Sequence, residues 1–178
     1  MEIPLRCRDE EGYLVRQSLM TEIPYGRRTV AKVGCAFMAV YNAARFFALP
    51  VTEAEVWQYF HWGVLLGGAF GTSIFRVCRG LHRFGMRVTG VRYRDLKGAD
   101  AGILWYHTGR SRHYVLVRRC EDGRYAFPNS SAAAPMAFSD FYRKYVKHLR
   151  LPLLKREVPV MFTVTAARRD KPAAGGKH

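Results

Sequence analysis

An α+β domain is predicted by two changes of pattern along the chain. Apolar residues recur at helical spacing through the first half, and short β-branched or aromatic segments separated by turn residues dominate the second. Helices followed by strands of this kind place N-terminal helices against a C-terminal antiparallel β-sheet. At 178 residues the chain is long enough for one domain that buries a core without disulfide or metal support. Residues 1–166 are read as that domain, with 1–22 as a loop-rich lead-in, and 167–178 have the composition of a disordered tail.

Residues 1–34 are extended and irregular, with Ile23-Pro-Tyr-Gly26 as a turn. Ala36 to Ala48 forms the first helix, presenting Phe37, Tyr41, Ala44 and Ala48 on one stripe with Met38 beside it, and Pro50 ends it. Thr52 and Glu55 have capping-box spacing, which opens a second helix through about Trp62. Gly63 to Gly71 is a glycine-rich loop. Thr72-Ser73 then caps a third helix that carries Ile74, Val77, Leu81 and Phe84 and stops at Gly85. Strands are expected over 87–94, 102–107, 113–119 and 124–127, the last two joined by a hairpin turn at Glu121-Asp-Gly-Arg124. Ser139 caps a further helix to about Leu149, and 157–165 alternates as a final strand.

Lys and Arg total 29 against 14 Asp and Glu, a formal charge of +15. Such a field attracts acidic or phosphorylated partners. The cations are spread along the chain, so a solvated basic surface is favoured over a dedicated nucleic-acid groove. The apolar runs are too short or too glycine-rich to span a bilayer, and the charged first residues lack the apolar core of a signal peptide, so a cytoplasmic protein with no membrane span is expected. Cys7, Cys35, Cys78 and Cys120 form no Cys-x-x-Cys pair and are read as free thiols. The six histidines are scattered without metal-ligand spacing, and the Gly67–Gly71 loop lacks the lysine of a phosphate-binding loop. Neither a metal nor a cofactor is expected.

The chemistry-bearing pattern is Gly34-Cys35 at the opening of the first helix, His113 leading the strand His113-Tyr-Val-Leu-Val117, and Asn129 sixteen positions later. A thiol in the first turn of a helix meets the positive end of the peptide dipoles, which favours thiolate. A histidine at a strand start is rigidly held, and an amide carbonyl on an adjacent hairpin segment can fix its tautomer. His107 is the rival base, and Asp122 and Asp140 are rival orienting groups. Read alone, Cys35 is a small buried hydrophobe, His113 a histidine satisfied by a backbone carbonyl, and Asn129 a turn residue after Pro128.

Three stretches resemble the papain-like cysteine peptidases, most closely the bacterial double-glycine leader peptidases and their stand-alone relatives. These are Tyr25-Gly-Arg-Arg-Thr-Val-Ala-Lys-Val-Gly-Cys35, Gly68-Ala-Phe-Gly-Thr72 with its following helix, and the run from Gly102-Ile-Leu-Trp-Tyr-His107 through His113-Tyr-Val-Leu-Val117 to Phe127-Pro-Asn129. The resemblance covers residues 23–130. It implies a papain-like fold in which Cys35 is the nucleophile, His113 the general base and acid, and Asn129 the orienter. Two positions depart from the family pattern: Ala36 follows the cysteine in place of glycine, and Thr29 stands where a glutamine normally helps to bind the oxyanion. Thr29 and Gln17 are therefore the oxyanion candidates, and Gly34, Gly68, Gly71 and Tyr114 the cleft-lining candidates.

The expected function is a thiol-dependent peptidase, or a related acyl-transfer enzyme, acting on a peptide, protein or acyl-carrier substrate that the basic surface would recruit more readily if acidic. The alternative is an inactive papain-like binding module that holds an acidic partner or nucleic acid.

Overall fold

The computed structural model describes residues 2–63, 71–92, 96, 98–109, 111–147 and 159–167. Their architecture is mixed helix and antiparallel sheet. A two-stranded hairpin, β1 (Pro24–Tyr25) with β2 (Arg28–Thr29), leads into a short α1 (Val30–Val33) and then α2 (Cys35–Phe46), α3 (Glu53–His61) and α4 (Ile74–Arg83). The second half contributes β3 (Met86–Arg92), β4 (Ala101–His107), β5 (Arg112–Arg119), β6 (Tyr125–Ala126), α5 (Phe138–Tyr145) and β7 (Val160–Ala166). The five-stranded sheet has the order β3-β7-β4-β5-β6 with every pairing antiparallel.

Burial is more complete than the single stripe expected for α2. Every residue from Ala36 to Ala44 is buried, because the sheet covers one side and the N-terminal segment covers another. That segment is stitched down by Asn42, whose Nδ2 donates to the Leu14 carbonyl (2.9 Å) and whose Oδ1 accepts from the Leu14 N–H (2.8 Å). A buried amide side chain that satisfies a strand-like backbone in both directions removes two groups that would be costly if orphaned.

The sheet is covered on both faces. Ile103, Tyr114, Leu116 and Val164 pack with α2 and its neighbouring helices, while Leu104, Tyr106, Val115, Val117 and Met161 pack with Phe138 and Phe141 of α5. Two buried faces explain why β4 and β5 read as continuous apolar runs rather than as alternation. The second face matters for the site. Phe141 stacks on Phe127 (ring centroids 3.8 Å, 8° between planes) and meets Tyr106 edge-on (5.5 Å, 76°).

Local signals produced local structure. Thr52 Oγ1 accepts from the Glu55 N–H (3.3 Å) and Glu55 Oε2 accepts from the Thr52 N–H (2.8 Å), completing the capping box of α3. Ser73 caps α4 by accepting from the Arg76 N–H (3.2 Å). The 121–124 turn closes with Cys120 N–H on the Arg124 carbonyl (2.8 Å). Two boundaries differ from expectation. α5 is preceded by Ala137, so Ser139 lies inside the helix and does not cap it. α2 stops before Pro50 is reached, because Leu49 N–H returns to the Ala44 carbonyl and Ala48 N–H to the Arg45 carbonyl (both 2.9 Å) around Ala48 at φ +49°.

This paired closure normally has glycine at its left-handed position, since a Cβ there crowds the following carbonyl. Ala48→Gly is accordingly expected to stabilise the protein by about 0.5–1 kcal/mol in urea unfolding. Destabilisation would show that Ala48 contributes packing that outweighs the backbone strain.

Two further ends depart from expectation. The fifth helix, expected to about Leu149, stops at Tyr145, where Val146 is extended and Lys147 N–H pairs with the His107 carbonyl (2.8 Å). The last strand, expected from 157, starts at Val160 after a non-strand Pro159. The glycine loop over 64–70 with Gly68 and the tail beyond Ala167 lie outside the described residues. Ala167 itself is tied down by its N–H to the Gly85 carbonyl (2.7 Å).

Candidate active site

Cys35 is the first residue of α2, and Gly34 before it is both the end of α1 and the start of α2. A Cβ on Gly34 would lie 2.5 Å from Val30 Cγ1 and 2.7 Å from the Val30 carbonyl oxygen, so only glycine lets the two helices meet this closely. The junction aims the thiol at the start of β5. There Cys35 hydrogen-bonds the His113 side chain and accepts from the backbone N–H groups of Tyr114 and Ala36.

The His113 ring is fixed from its other side. Nε2 lies 2.6 Å from the backbone carbonyl oxygen of Asn129. A carbonyl can only accept, so Nε2 carries a proton and Nδ1 is left to face the thiol. Tyr106, opposite His113 in the β4–β5 register, meets the imidazole edge-to-face at 5.8 Å and 88°.

Burial pushes the Cys35 thiol up, but the hydrogen bond and charge of His113, helped by the two backbone N–H groups, outweigh it and hold the thiol below its ordinary value. The reciprocal balance holds for His113. Burial lowers it, yet the Cys35 hydrogen bond and charge and the Asn129 carbonyl leave it raised. The two directions describe one coupled thiolate–imidazolium pair. The phenols of Tyr25, Tyr106 and Tyr114 surround it, and burial first and the Cys35 charge second push all three up, so they remain neutral. By contrast the Cys78 thiol is simply raised by burial.

Asn129 occupies its position through turn chemistry. Pro128 and Asn129 are the central residues of a turn closed by Ser130 N–H on the Phe127 carbonyl (3.1 Å), with Asn129 at φ +65°. Proline followed by a left-handed residue is the signature of a type II turn, and asparagine tolerates that conformation better than other side-chain-bearing residues. Phe127, stacked on Phe141, anchors the turn to the α5 side of the core. The expectation that the Asn129 side chain orients His113 is corrected here: its backbone carbonyl does so.

The side chain serves a different partner. Asn129 Nδ2 donates to Gln17 Oε1 (3.0 Å), and Asn129 Oδ1 accepts a longer bond from the Gln17 backbone N–H (3.4 Å). Gln17 Nε2 in turn donates to the carbonyls of Val30 (2.9 Å) and Ala31 (3.3 Å) in α1. The chain does fold back to bring Gln17 beside the nucleophile. Both of its amide hydrogens are nevertheless committed to α1, so it is assembled as a brace and not as an oxyanion donor.

Thr29 is not brought to the site. It pairs with Pro24 in the β1–β2 hairpin and does not line the cleft, whose wall from that region is formed by Arg28, Ala31, Lys32 and Val33. His107 lines the cleft, but its Nδ1 accepts from the Gly109 N–H (3.0 Å) rather than from the thiol. Asp122 is paired with Arg124 and Asp140 with Arg143. Of the four cleft-lining candidates Gly71 (φ +67°) lines it, Gly34 and Tyr114 do not, and Gly68 is outside the described residues.

No family model and no curated protein matches the chain. The site therefore stands on its own geometry. Cys35, His113 and Asn129 open onto a cleft of about 940 Å³ that also exposes Arg16, Gln17 and Arg112. A second, smaller pocket of about 450 Å³ between Leu49, Glu55, Arg83 and Ala167 contains no nucleophile. Among the described residues no three His, Cys, Asp or Glu side chains converge as metal ligands, and no helix is long and apolar enough to cross a membrane.

Sequence reasoning missed Tyr106 and the Gln17 brace. Tyr106 was accessible in principle, because joining the two strands by a short turn places it opposite His113. The brace depends on a contact across 112 residues that no local pattern announces.

Proposed function

We propose that this protein is a papain-like, thiol-dependent enzyme that cleaves or transfers an acyl group, most directly by hydrolysing an amide bond. The observation that carries the reading is the coupled pair itself: a thiol at a helix start, held below its ordinary value by a histidine whose far nitrogen is pinned to a carbonyl. An inert structural cysteine needs no such partner.

In this reading Cys35 thiolate attacks a substrate carbonyl carbon, and the carbonyl π electrons move to oxygen. The Cys35 N–H, the first amide of α2, is positioned to stabilise that oxyanion. The His113 imidazolium gives its proton to the leaving amine as the C–N bond breaks, leaving an acyl thioester on Cys35. Water or a second amine then attacks the thioester, His113 takes its proton, and the thiolate is restored.

One observation favours a second reading, an inactive module on the same fold. Gln17 has no amide hydrogen to spare for an oxyanion, and removal of one oxyanion donor costs an enzyme about a hundredfold or more in rate.

The two separate on the reactivity of Cys35. With iodoacetamide near pH 6, Cys35 is expected to alkylate at least about tenfold faster than Cys78, whose thiol burial raises. A peptide-library screen of the native protein against Cys35→Ser then identifies turnover. Equal reactivity of Cys35 and Cys78 would remove the catalytic reading and leave the binding module.

A further inference from the structure

We infer that the cleft around Cys35 selects a peptide segment bearing carboxylates, so that the substrate of this site is acidic next to the bond attacked. The inference rests on the thiol-site reading for its chemistry but on separate residues for its specificity. Arg16, Arg28, Lys32 and Arg112 all line the cleft, and among the described residues no aspartate or glutamate does. These cations come from separate parts of the chain, the segment before Gln17, strand β2, helix α1 and the start of β5, and the fold gathers them around one opening.

Several arginines outside the cleft are neutralised by carboxylates. Arg8 takes Glu53, Arg118 takes Glu11, Arg124 takes Asp122 and Arg143 takes Asp140, at 2.5–2.7 Å. Among the described residues no carboxylate pairs with Arg16, Arg28 or Lys32. Arg28 and Lys32 are both exposed and line the same cleft as Cys35. A concave, one-signed wall of this kind focuses potential on whatever enters.

The occupant is a peptide rather than nucleic acid. Single-stranded nucleic acid is held by basic grooves combined with aromatic platforms on which bases stack. Among the described residues, the one phenylalanine, tyrosine or tryptophan that lines this cleft, Tyr106, is buried. The lining also offers hydroxyl and amide groups, among them Ser18, Ser130 and Ser131, which suit an extended backbone.

Two measurements test this. In the first, Cys35 is alkylated with iodoacetate and with iodoacetamide, which share a reaction but differ in charge. The ratio of the two rate constants is expected to fall about fivefold in Arg28→Gln/Lys32→Gln. In the second, a fluorescein-labelled peptide of alternating glutamate and glycine is titrated with Cys35→Ser protein and followed by anisotropy. Binding is expected to weaken about tenfold when Arg28→Gln/Lys32→Gln is added and to be unaffected by Arg143→Gln, an exposed arginine that does not line the cleft.

The outcomes separate the two ideas. Peptide binding that depends on Arg28 and Lys32 sustains the acidic cleft even if Cys35 proves unreactive, which would overturn the enzyme reading alone. A reactive Cys35 with an unchanged reagent ratio and no dependence of peptide binding on Arg28 and Lys32 overturns the acidic cleft and leaves the enzyme reading. Tighter binding of a single-stranded oligonucleotide of matched charge than of the peptide also overturns it.

Discussion

Replacing His113 with alanine is expected to slow alkylation of Cys35 near pH 6 by at least about tenfold, because it removes the imidazole that holds the thiol below its ordinary value and so lowers the thiolate fraction. The direction follows from the opposing influences on the thiol. Burial alone pushes Cys35 up, and the largest compensations come from the hydrogen bond and charge of His113. Without the imidazole, the backbone N–H groups of Tyr114 and Ala36 remain, and burial prevails. Cys78 in the same sample serves as an internal reference. His107→Ala is expected to leave the Cys35 profile in place, since His107 accepts from the Gly109 N–H and not from the thiol. If the Cys35 profile were the same in His113→Ala as in the native protein, the coupled pair would not exist.

The same pair sets a dependence of stability on pH. His113 is raised on folding, so its contribution is fully present below the ordinary imidazole value and is lost as pH rises through the raised one. Cys35 is lowered, so its contribution is present above the ordinary thiol value and is lost as pH falls through the lowered one. If the pair acts as proposed, turnover is expected to be bell-shaped in pH, its acid limb reporting loss of thiolate and its basic limb loss of the imidazolium proton, both as properties of the pair.

What could be read from sequence divides along the range of the interactions. The Thr52 and Ser73 caps and the 121–124 turn involve residues within four positions of one another, and their chemistry is stereotyped. The juxtaposition of Cys35 and His113 was legible because few residue types can form a thiol–imidazole pair and both stand at or next to element starts. The Asn129 contact was legible as a residue but not as an atom. Whether its side chain or its carbonyl meets His113 depends on the left-handed turn after Pro128 and on Gln17 arriving from 112 positions away. Thr29 failed as an oxyanion candidate for a related reason: pairing with Pro24 fixes it in a hairpin that the sequence showed only as a turn. The insertion of β7 between β3 and β4, and the burial of the sheet's second face by α5, are choices of strand order and layer that periodicity alone does not carry.

The Gln17–Asn129 brace leaves the Asn129 carbonyl, and not its side chain, to hold His113. If the carbonyl of Asn129 holds His113, glycine at position 129 preserves the left-handed turn and the contact, while alanine strains the turn by about 1–2 kcal/mol and displaces the carbonyl. Turnover should therefore fall in the order native, Asn129→Gly, Asn129→Ala. A side-chain orienter would make glycine and alanine equally damaging. Gln17→Ala removes the group that clamps the Asn129 side chain to the α1 carbonyls. Misplacement of the base by about 1 Å through such a loss costs on the order of a hundredfold in turnover. The Cys35 alkylation profile distinguishes the roles open to Gln17. A brace that positions His113 moves the profile to higher pH in Gln17→Ala. An oxyanion donor lowers turnover and leaves the profile where it was, because the thiolate does not depend on a group that acts only after attack. The committed hydrogens of Gln17 Nε2 favour the first result.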